Sequence, residues 1–257
     1  MESLILVNMT HLMYKLTRPE IEEYLERCDI VLLPVGATEQ HGRHLAIDTD
    51  TFISHEVASR IAEKADVLVA PVVPFGFSKS HMNFKGSISL NMDTLVTVYK
   101  EVCLSLLHHG FNKVVIINGH GGNINAVNEA IRLVKEETGK TVYNIPAWCA
   151  DAGFGKSVVH VIKQEGGGHA CEEETSTSLY LGQRVLMEKA VKWSPPEGRP
   201  EFVKKYAGSY KTFRMMDEVS EMGNTGDPTI ATVEKGKILV DTLVDEVAEF
   251  IIDLKKL

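Results

Sequence analysis

The sequence predicts an α/β fold built on a mostly parallel sheet. Four short runs rich in Val, Ile and Leu, at 30–35, 67–73, 113–118 and 141–146, are apolar almost throughout, as strands covered on both faces are. Segments of helical period, about a dozen residues or longer, separate them, and such alternation implies parallel pairing through right-handed crossovers. The third observation is chemical. Carboxylates and imidazoles follow two of these runs directly, at the carboxyl edge where open α/β sheets bind ligands.

Taken in order, Pro19 suits the first turn of a helix over 20–27, with Ile21, Tyr24 and Leu25 on one face. The strand Ile30–Val35 is closed by Gly36, and an acidic loop follows to Asp50. Residues 51–65 read as a helix, since Phe52, Val57, Ile61 and Ala62 fall near a 3.6 period. Val67–Val73 is the second strand. Residues 74–89, with Gly76, Gly86, three phenylalanines and His81, have no period and predict an irregular loop over the strand ends. A helix from Asp93 to His109 stops at Gly110. The strand Lys113–Asn118, a helix over 121–136 and the strand Thr141–Pro146 complete the alternation. After Trp148 a long connection leads to Gly166-Gly167-Gly168-His169 and a short helix over 172–181. Residues 192–228 hold four of the nine prolines and predict an extended excursion, a lid or a subunit contact. The last helix, Val233–Lys256, is amphipathic through Ile238, Leu239, Leu243, Val247, Phe250 and Ile251. The whole chain, 1–257, is expected to form one domain.

The totals exclude several classes. Lys+Arg 27 against Asp+Glu 35 gives a net charge of −8, which argues against an extended phosphate-binding surface and so against a nucleic-acid partner. No apolar run approaches the roughly 18 residues of a membrane span. The start, Met1-Glu2-Ser3, is acidic where a signal peptide is basic. Four cysteines without a CxxC pair predict reduced thiols and a cytoplasmic protein.

Three clusters could carry chemistry. The first, 39–50, contains Glu39, His41, Asp48 and Asp50, oxygen and imidazole donors of the kind zinc, manganese and iron(II) take from proteins. The second, Asn118-Gly119-His120-Gly121-Gly122-Asn123, follows a strand and has glycines that permit close backbone approach. It lacks the GxGxxG spacing and lysine of nucleotide loops, with an imidazole at its centre instead. The third is His169-Ala170-Cys171-Glu172-Glu173-Glu174-Thr175-Ser176. At a helix N-terminus, Glu172 and Glu174 stand about 200° apart, so only one of them faces a given metal, and spacing does not choose between them. A thiol-nucleophile reading of Cys171 beside His169 ranks lower, because no Asn or Asp is placed to orient the imidazole. His81 reads as a solvated loop residue, and His44 and His55 as surface or helix-face residues. Three clusters from remote segments are what a binuclear site assembled in space would show.

The run P-V-G-A-T-E-Q-H-G-x-H-L-x-x-x-T-D (Pro34 to Asp50), the N-G-H-G-G-N box, the H-A-x-x-x-E-T-S box from His169, and the tail Gly226-Asp227-Pro228…Ala231-Thr232…Glu234-Lys235-Gly236 together resemble the creatininase (creatinine amidohydrolase) family, from about 31 to 239. The resemblance implies a three-layer α/β/α fold, a homo-oligomer and often a hexamer, and two divalent metals (Zn, Mn or Fe(II)) that hydrolyse a small-molecule amide at a C–N bond through a metal-bridging hydroxide. By position, Glu39 and His120 would hold one metal and His41 the other, with Asp50 bridging. Creatinine-hydrolysing members carry H-x-E in the histidine box; here that place is Gly122, so Glu174, with Glu172 as the fallback, would complete the second metal. His169 would be the substrate-side acid/base. Ala46 stands where a Pro is usual, and Cys171 where a Gly is.

Creatinine-hydrolysing relatives also have a Trp shortly before this histidine, where the present chain reads Gln164-Glu165-Gly166-Gly167-Gly168, and only Trp148 is placed to line a pocket. The expected activity is therefore hydrolysis of a small cyclic amide or formamide, as in the formylaminopyrimidine hydrolases that the boxes also resemble. Creatinine hydrolysis and a mycofactocin-precursor type of peptidase are alternatives. A metal-binding oligomer without turnover is the rival from another class, and a nucleotide-binding module a third.

Overall fold

The computed structural model describes residues 10–149, 153–164, 168–194, 201–206, 209 and 212–257. Its helices and strands run α1 (Arg18–Arg27), β1 (Ile30–Val35), α2 (Thr49–Ala65), β2 (Leu68–Val69), α3 (Met92–His108), β3 (Lys113–Asn118), α4 (Ile124–Thr138), β4 (Val142–Pro146), α5 (Glu172–Leu181), α6 (Glu201–Lys205) and α7 (Val233–Leu254). Among the described residues the strands form one parallel sheet of order β2-β1-β3-β4. Ile30 pairs with Lys113 and Val35 with Asn118, so β1 and β3 end side by side.

The strands alternate their side chains between two cores, which makes the molecule three-layered. Ile30, Leu32, Val115 and Ile117 pack with α2 and α7; Val31, Leu33, Val35, Val114 and Ile116 pack with α1, α3 and α4. Both faces of the sheet are dry, and this is why the strands read as continuous apolar runs. The chain leaves β1 toward one side of the sheet and reaches β3 on the other. Such a switch point opens a crevice between the carboxyl ends of the two strands.

Several boundaries differ from the sequence expectation. β2 covers Leu68–Val69 rather than 67–73, because Pro71 has no N–H to donate and the chain then touches β1 only through an isolated Val35–Val73 bridge. α4 starts at Ile124, since Gly121–Asn123 forms a separate 3-10 turn. α1 starts at Arg18, capped by the Thr17–Glu20 box. In α7 Ile238 is exposed, and the buried stripe is Leu239, Val240, Leu243, Val244, Val247, Ala248, Ile251 and Leu254. The excursion at 192–228 carries α6 and a 3-10 turn at Met216–Glu218. Gly166 and Gly167 lie outside the described residues.

α5 and α7 approach at backbone distance. A Cβ added to Gly236 would lie 1.9 Å from the Ser176 carbonyl oxygen and 2.5 Å from its carbon, so only glycine fits. Gly236→Ala is expected to destabilise the protein by about 3 kcal/mol or more, as overpacking against rigid backbone does. A denaturant midpoint unchanged from the wild type would refute the close fit.

Candidate metal and catalytic site

The carboxyl ends of β1 and β3 bring the first two clusters together. The packing of α2 against them is tight: a Cβ on Gly36 would meet Thr51 Cα at 2.5 Å, and one on Gly119 would meet the Asp50 carbonyl oxygen at 2.3 Å. These glycines let the first turn of α2 carry Asp50 into the crevice. Asn118 and Asn123 hold the surrounding loops: Asn123 Nδ2 donates to the Gly36 carbonyl (3.0 Å), its Oδ1 accepts from Phe77 N (3.1 Å), and His120 N donates to Asn118 Oδ1 (3.2 Å). The asparagines of the N-G-H-G-G-N box are thus structural staples around its histidine.

At the centre, Asp50 lies between two imidazoles. His41 Nε2 is 3.1 Å from Asp50 Oδ1, and His120 Nδ1 is 2.9 Å from Oδ2. Each ring is oriented by a backbone carbonyl on its far side. His41 Nδ1 donates to Glu39 O (3.1 Å) and His120 Nε2 to Phe77 O (3.1 Å). Metal-binding histidines are held in this way, with one nitrogen donating outward and the other aimed inward. Glu39 Oε2 stands 3.5 Å from His120 Nε2. Among the described residues, donor atoms converge in three groups: those of Glu39, Asp50 and His120, those of His41, His169 and Glu174, and those of Glu39, His81 and His169.

Gly122 belongs to this geometry. A Cβ there would lie 2.3 Å from His120 Nε2 and 2.5 Å from Phe77 O, so a side chain at 122 would displace the imidazole from its carbonyl. The carboxylate that H-x-E relatives carry at this position has no room in this chain.

Three consecutive glutamates of α5 have three environments. Glu174 points its carboxylate into the site, where Oε2 has no hydrogen-bond partner. Glu172, fully buried, points away: Oε2 accepts from Lys163 N (2.7 Å) and Gln164 N (2.6 Å), and Oε1 pairs with Lys235 Nζ. Of the two, Glu174 faces the site, and the oxygens of Glu172 are already engaged. Glu173 Oε1 accepts from Cys149 N at 2.8 Å. Ala170, at φ +47, makes the sharp turn that separates His169 from the helix.

The site is buried, and its protonation follows from that. Burial and the neighbouring Asp50 raise Glu39 above the usual carboxylate range. Burial opposes ionisation of Asp50 too, but the His41 and His120 charges outweigh it and hold Asp50 well below that range. Against desolvation, Asp50 pushes His41 up to about 10, and Glu39 and Asp50 push His120 up to about 9. Burial lifts Glu174 to about 8. His169 is lowered well below 6.5 by burial and by the charge on His41, so it is neutral.

The carboxylate oxygens Glu39 Oε2 and Glu174 Oε2 are buried without hydrogen-bond partners, and Asp50 Oδ2 is buried against the His120 imidazole. Buried anionic oxygens are costly unless paired or bound to a cation. Three of them around three imidazoles fit divalent metals. A cavity of about 520 Å³ opens onto the site, lined by Trp148, Val159, Ile162, Gln164, Met216 and Glu173 besides the site groups. Trp148 donates from Nε1 to Gly119 O (2.8 Å), while Trp193 lies elsewhere, bonded to Val219 O.

Sequence reasoning misplaced two histidines. His81 is buried, not solvated, and stands 3.5 Å from Glu39 Oε1 through Nε2. The Phe- and Gly-rich loop folds over the strand ends, and the loop's position was the only available signal. His44 is also buried, bonded to Thr175 Oγ1 at 2.9 Å. Cys171 is a buried thiol whose pKa burial raises, which removes the nucleophile reading. The four cysteines are free thiols. No helix among the described residues is long and apolar enough to cross a membrane.

Known proteins resemble this chain in sequence and in fold. The creatininase profile, described as creatinine amidohydrolase, matches residues 14–251. The mycofactocin precursor peptide peptidase of Mycolicibacterium smegmatis is 32% identical over 227 residues, covering 86% of this chain and 83% of the relative. A manganese creatininase superposes with a TM-score of 0.83 at 25% identity, over 96% of this chain and 99% of that one. A zinc–zinc form of a creatininase variant superposes with a TM-score of 0.81 at 26% identity, over the same shares.

Proposed function

The chain belongs to the creatininase family, and from that premise we propose that it is a metal-dependent amidohydrolase that cleaves a C–N bond of a small cyclic amide or formamide. The observation that carries the reading is the set of three buried carboxylates, two of them with an oxygen that has no hydrogen-bond partner, facing imidazoles at the head of the cavity. Glu39 and His120 would hold one metal, His41 and Glu174 the second, and Asp50 would bridge. Bound divalent cations lower the pKa of water toward neutrality and polarise a carbonyl. The chain's own groups do the rest. Glu39 O and Phe77 O keep the two ligand imidazoles turned inward. Trp148, Val159, Ile162 and Met216 give the substrate an apolar wall.

Hydrolysis forms a C–O bond at the amide carbon, breaks the C–N bond, and moves a proton from the attacking water to the departing nitrogen. His169, neutral and with its Nδ1 3.6 Å from Glu39 Oε1, is placed to accept that proton and pass it on. The expected role of His169 as an acid/base is thus entered as a base first.

A second reading, cleavage of a peptide amide, is favoured by the likeness to the mycobacterial peptidase over most of both chains. One experiment separates the readings: metal content of the purified protein, with hydrolysis of creatinine, formylaminopyrimidines, hydantoins and short peptides. Turnover of formyl or cyclic amides supports the first reading, and turnover of peptides alone the second. Bound metal without turnover of any would support a non-catalytic metal protein.

The two glutamates give a paired prediction. Glu174→Gln should lose one of about two metals per chain while folding normally. Glu172→Gln should keep its metals and lose about 1.5–3 kcal/mol of stability, because Lys235 and the Lys163 and Gln164 backbone amides lose the carboxylate charge they donate to. The reverse pattern, read by metal analysis and chemical denaturation, would exchange their roles.

A further inference from the structure

Gln40 lies between the proposed ligands Glu39 and His41 and is buried, and its amide is fixed from both ends. Oε1 accepts from Gly42 N (2.9 Å), and Nε2 donates to Gly223 O (2.8 Å). Gly223, at φ +77, is needed there, since a Cβ would fall 2.1 Å from Oε1. With the amide so oriented, its second N–H meets His81 Nδ1 at 2.9 Å, which must therefore be the acceptor. His81 then carries its hydrogen on Nε2. The same logic reaches His169: its Nε2, 2.8 Å from Gln40 O, must donate to that carbonyl, leaving the Nδ1 lone pair toward the site. The contact of Gln40 Nε2 with His169 Nε2, 3.0 Å, is then two donors side by side, each with its hydrogen directed elsewhere.

We propose that His81 is a catalytic hydrogen-bond donor, held by Gln40 as its Nε2–H form so that it stabilises the negative charge that develops on the substrate's carbonyl oxygen. The inference rests on the hydrolase reading above. His81 lines the reaction cavity, its ring centroid is 4.5 Å from that of His169, and its Nε2 faces the site, 3.5 Å from Glu39 Oε1. Because Nδ1 accepts from the Gln40 amide, the ring holds a single hydrogen, on Nε2, and is neutral. A neutral imidazole N–H, preorganised in a dry site, stabilises an oxyanion without giving up its proton. Gln40 is the positioning residue. His81 and His169 take different work from one amide: the first offers an N–H, the second a lone pair.

The test uses the zinc-loaded protein. His81→Phe should lower kcat by about 10²–10³-fold, the loss expected for one oxyanion donor, with KM and metal content nearly unchanged. His81→Gln, which keeps an N–H, should recover at least about tenfold of that loss. Gln40→Glu turns the donor facing His81 into an acceptor and should match His81→Phe; should that variant not fold, the two His81 variants carry the test. Full kcat in His81→Phe, or a loss accounted for by missing metal, overturns the proposal. Formate, a planar oxyanion, supplies a readout that needs no substrate. Its affinity should weaken about tenfold in His81→Phe, consistent with one lost charge-assisted hydrogen bond, and return in His81→Gln. Equal affinity in all three forms overturns the role of His81. A wild type that binds formate with this pattern but hydrolyses no amide would instead sink the hydrolase reading. Neutron diffraction completes the test, with deuterium expected on Nε2 of both His81 and His169.

Discussion

Asp50→Asn should empty the site of metal and lower hydrolysis by more than about a thousandfold, since two-metal catalysis depends on both ions being held at once. Asp50 joins the two halves of the site: one carboxylate oxygen faces His41 and the other His120. Asparagine keeps the shape and removes the charge. In the metal-free protein the same change leaves two buried imidazoles without the anion that keeps them protonated. The cost should be about 3–5 kcal/mol at neutral pH, as for a broken buried pair. Asp48, two residues earlier but exposed, with its carboxylate accepting from Gln183, is the control. Asp48→Asn should change stability by less than about 0.5 kcal/mol and leave metal content intact. Metal analysis and unfolding curves on both variants decide the matter. A fully loaded Asp50→Asn protein would show that the bridge is not Asp50.

The site was legible in the chain to the extent that it follows the strands. Glu39, His41 and His120 sit within six residues of a strand end, and apolar runs mark such ends clearly. Asp50 was recognisable as a helix N-terminal acid, yet what brings it to His120 is the missing Cβ of Gly119, a packing fact with no periodic signature. Glu172 and Glu174 could not be told apart by spacing. The decision came from Lys163, Gln164 and Lys235, which the fold delivers to Glu172 from two other segments. His81 was misread for a similar reason. Its burial depends on how an aperiodic loop lies over the sheet, and on a glutamine whose amide carries no charge to announce it.

The protons at the site predict how metal loading depends on pH. Without metal, Glu174 titrates near 8, His120 near 9 and His41 near 10, so all three hold protons at neutral pH. Metal binding must displace them, and the apparent affinity should therefore climb steeply with pH, by up to ~10-fold per pH unit for each proton released. Between pH 6 and 8 the gain should approach but not exceed ~10⁴-fold if two of the three protons leave with each loading event. The slope should flatten as pH passes the three values in turn. Competition with a chelator, and calorimetry in buffers of different ionisation enthalpy, read the affinity and the proton count separately. A slope below one proton per loading would refute the assignment of His41 and His120 as ligands.

The same groups give the chelated protein an opposite trend. Their folded-state values lie above the unfolded ones, so the stability they contribute is complete below about 4.5 for Glu174 and about 6.5 for the imidazoles. It is lost as pH rises through 8, 9 and 10. Asp50, with its value lowered, acts at the other end and loses its contribution as pH falls below about 3.8. Chelated protein should accordingly melt at lower temperature at pH 9 than at pH 6. The metal-loaded protein should hold or raise its melting temperature over that interval, because cations take the place of the departing protons.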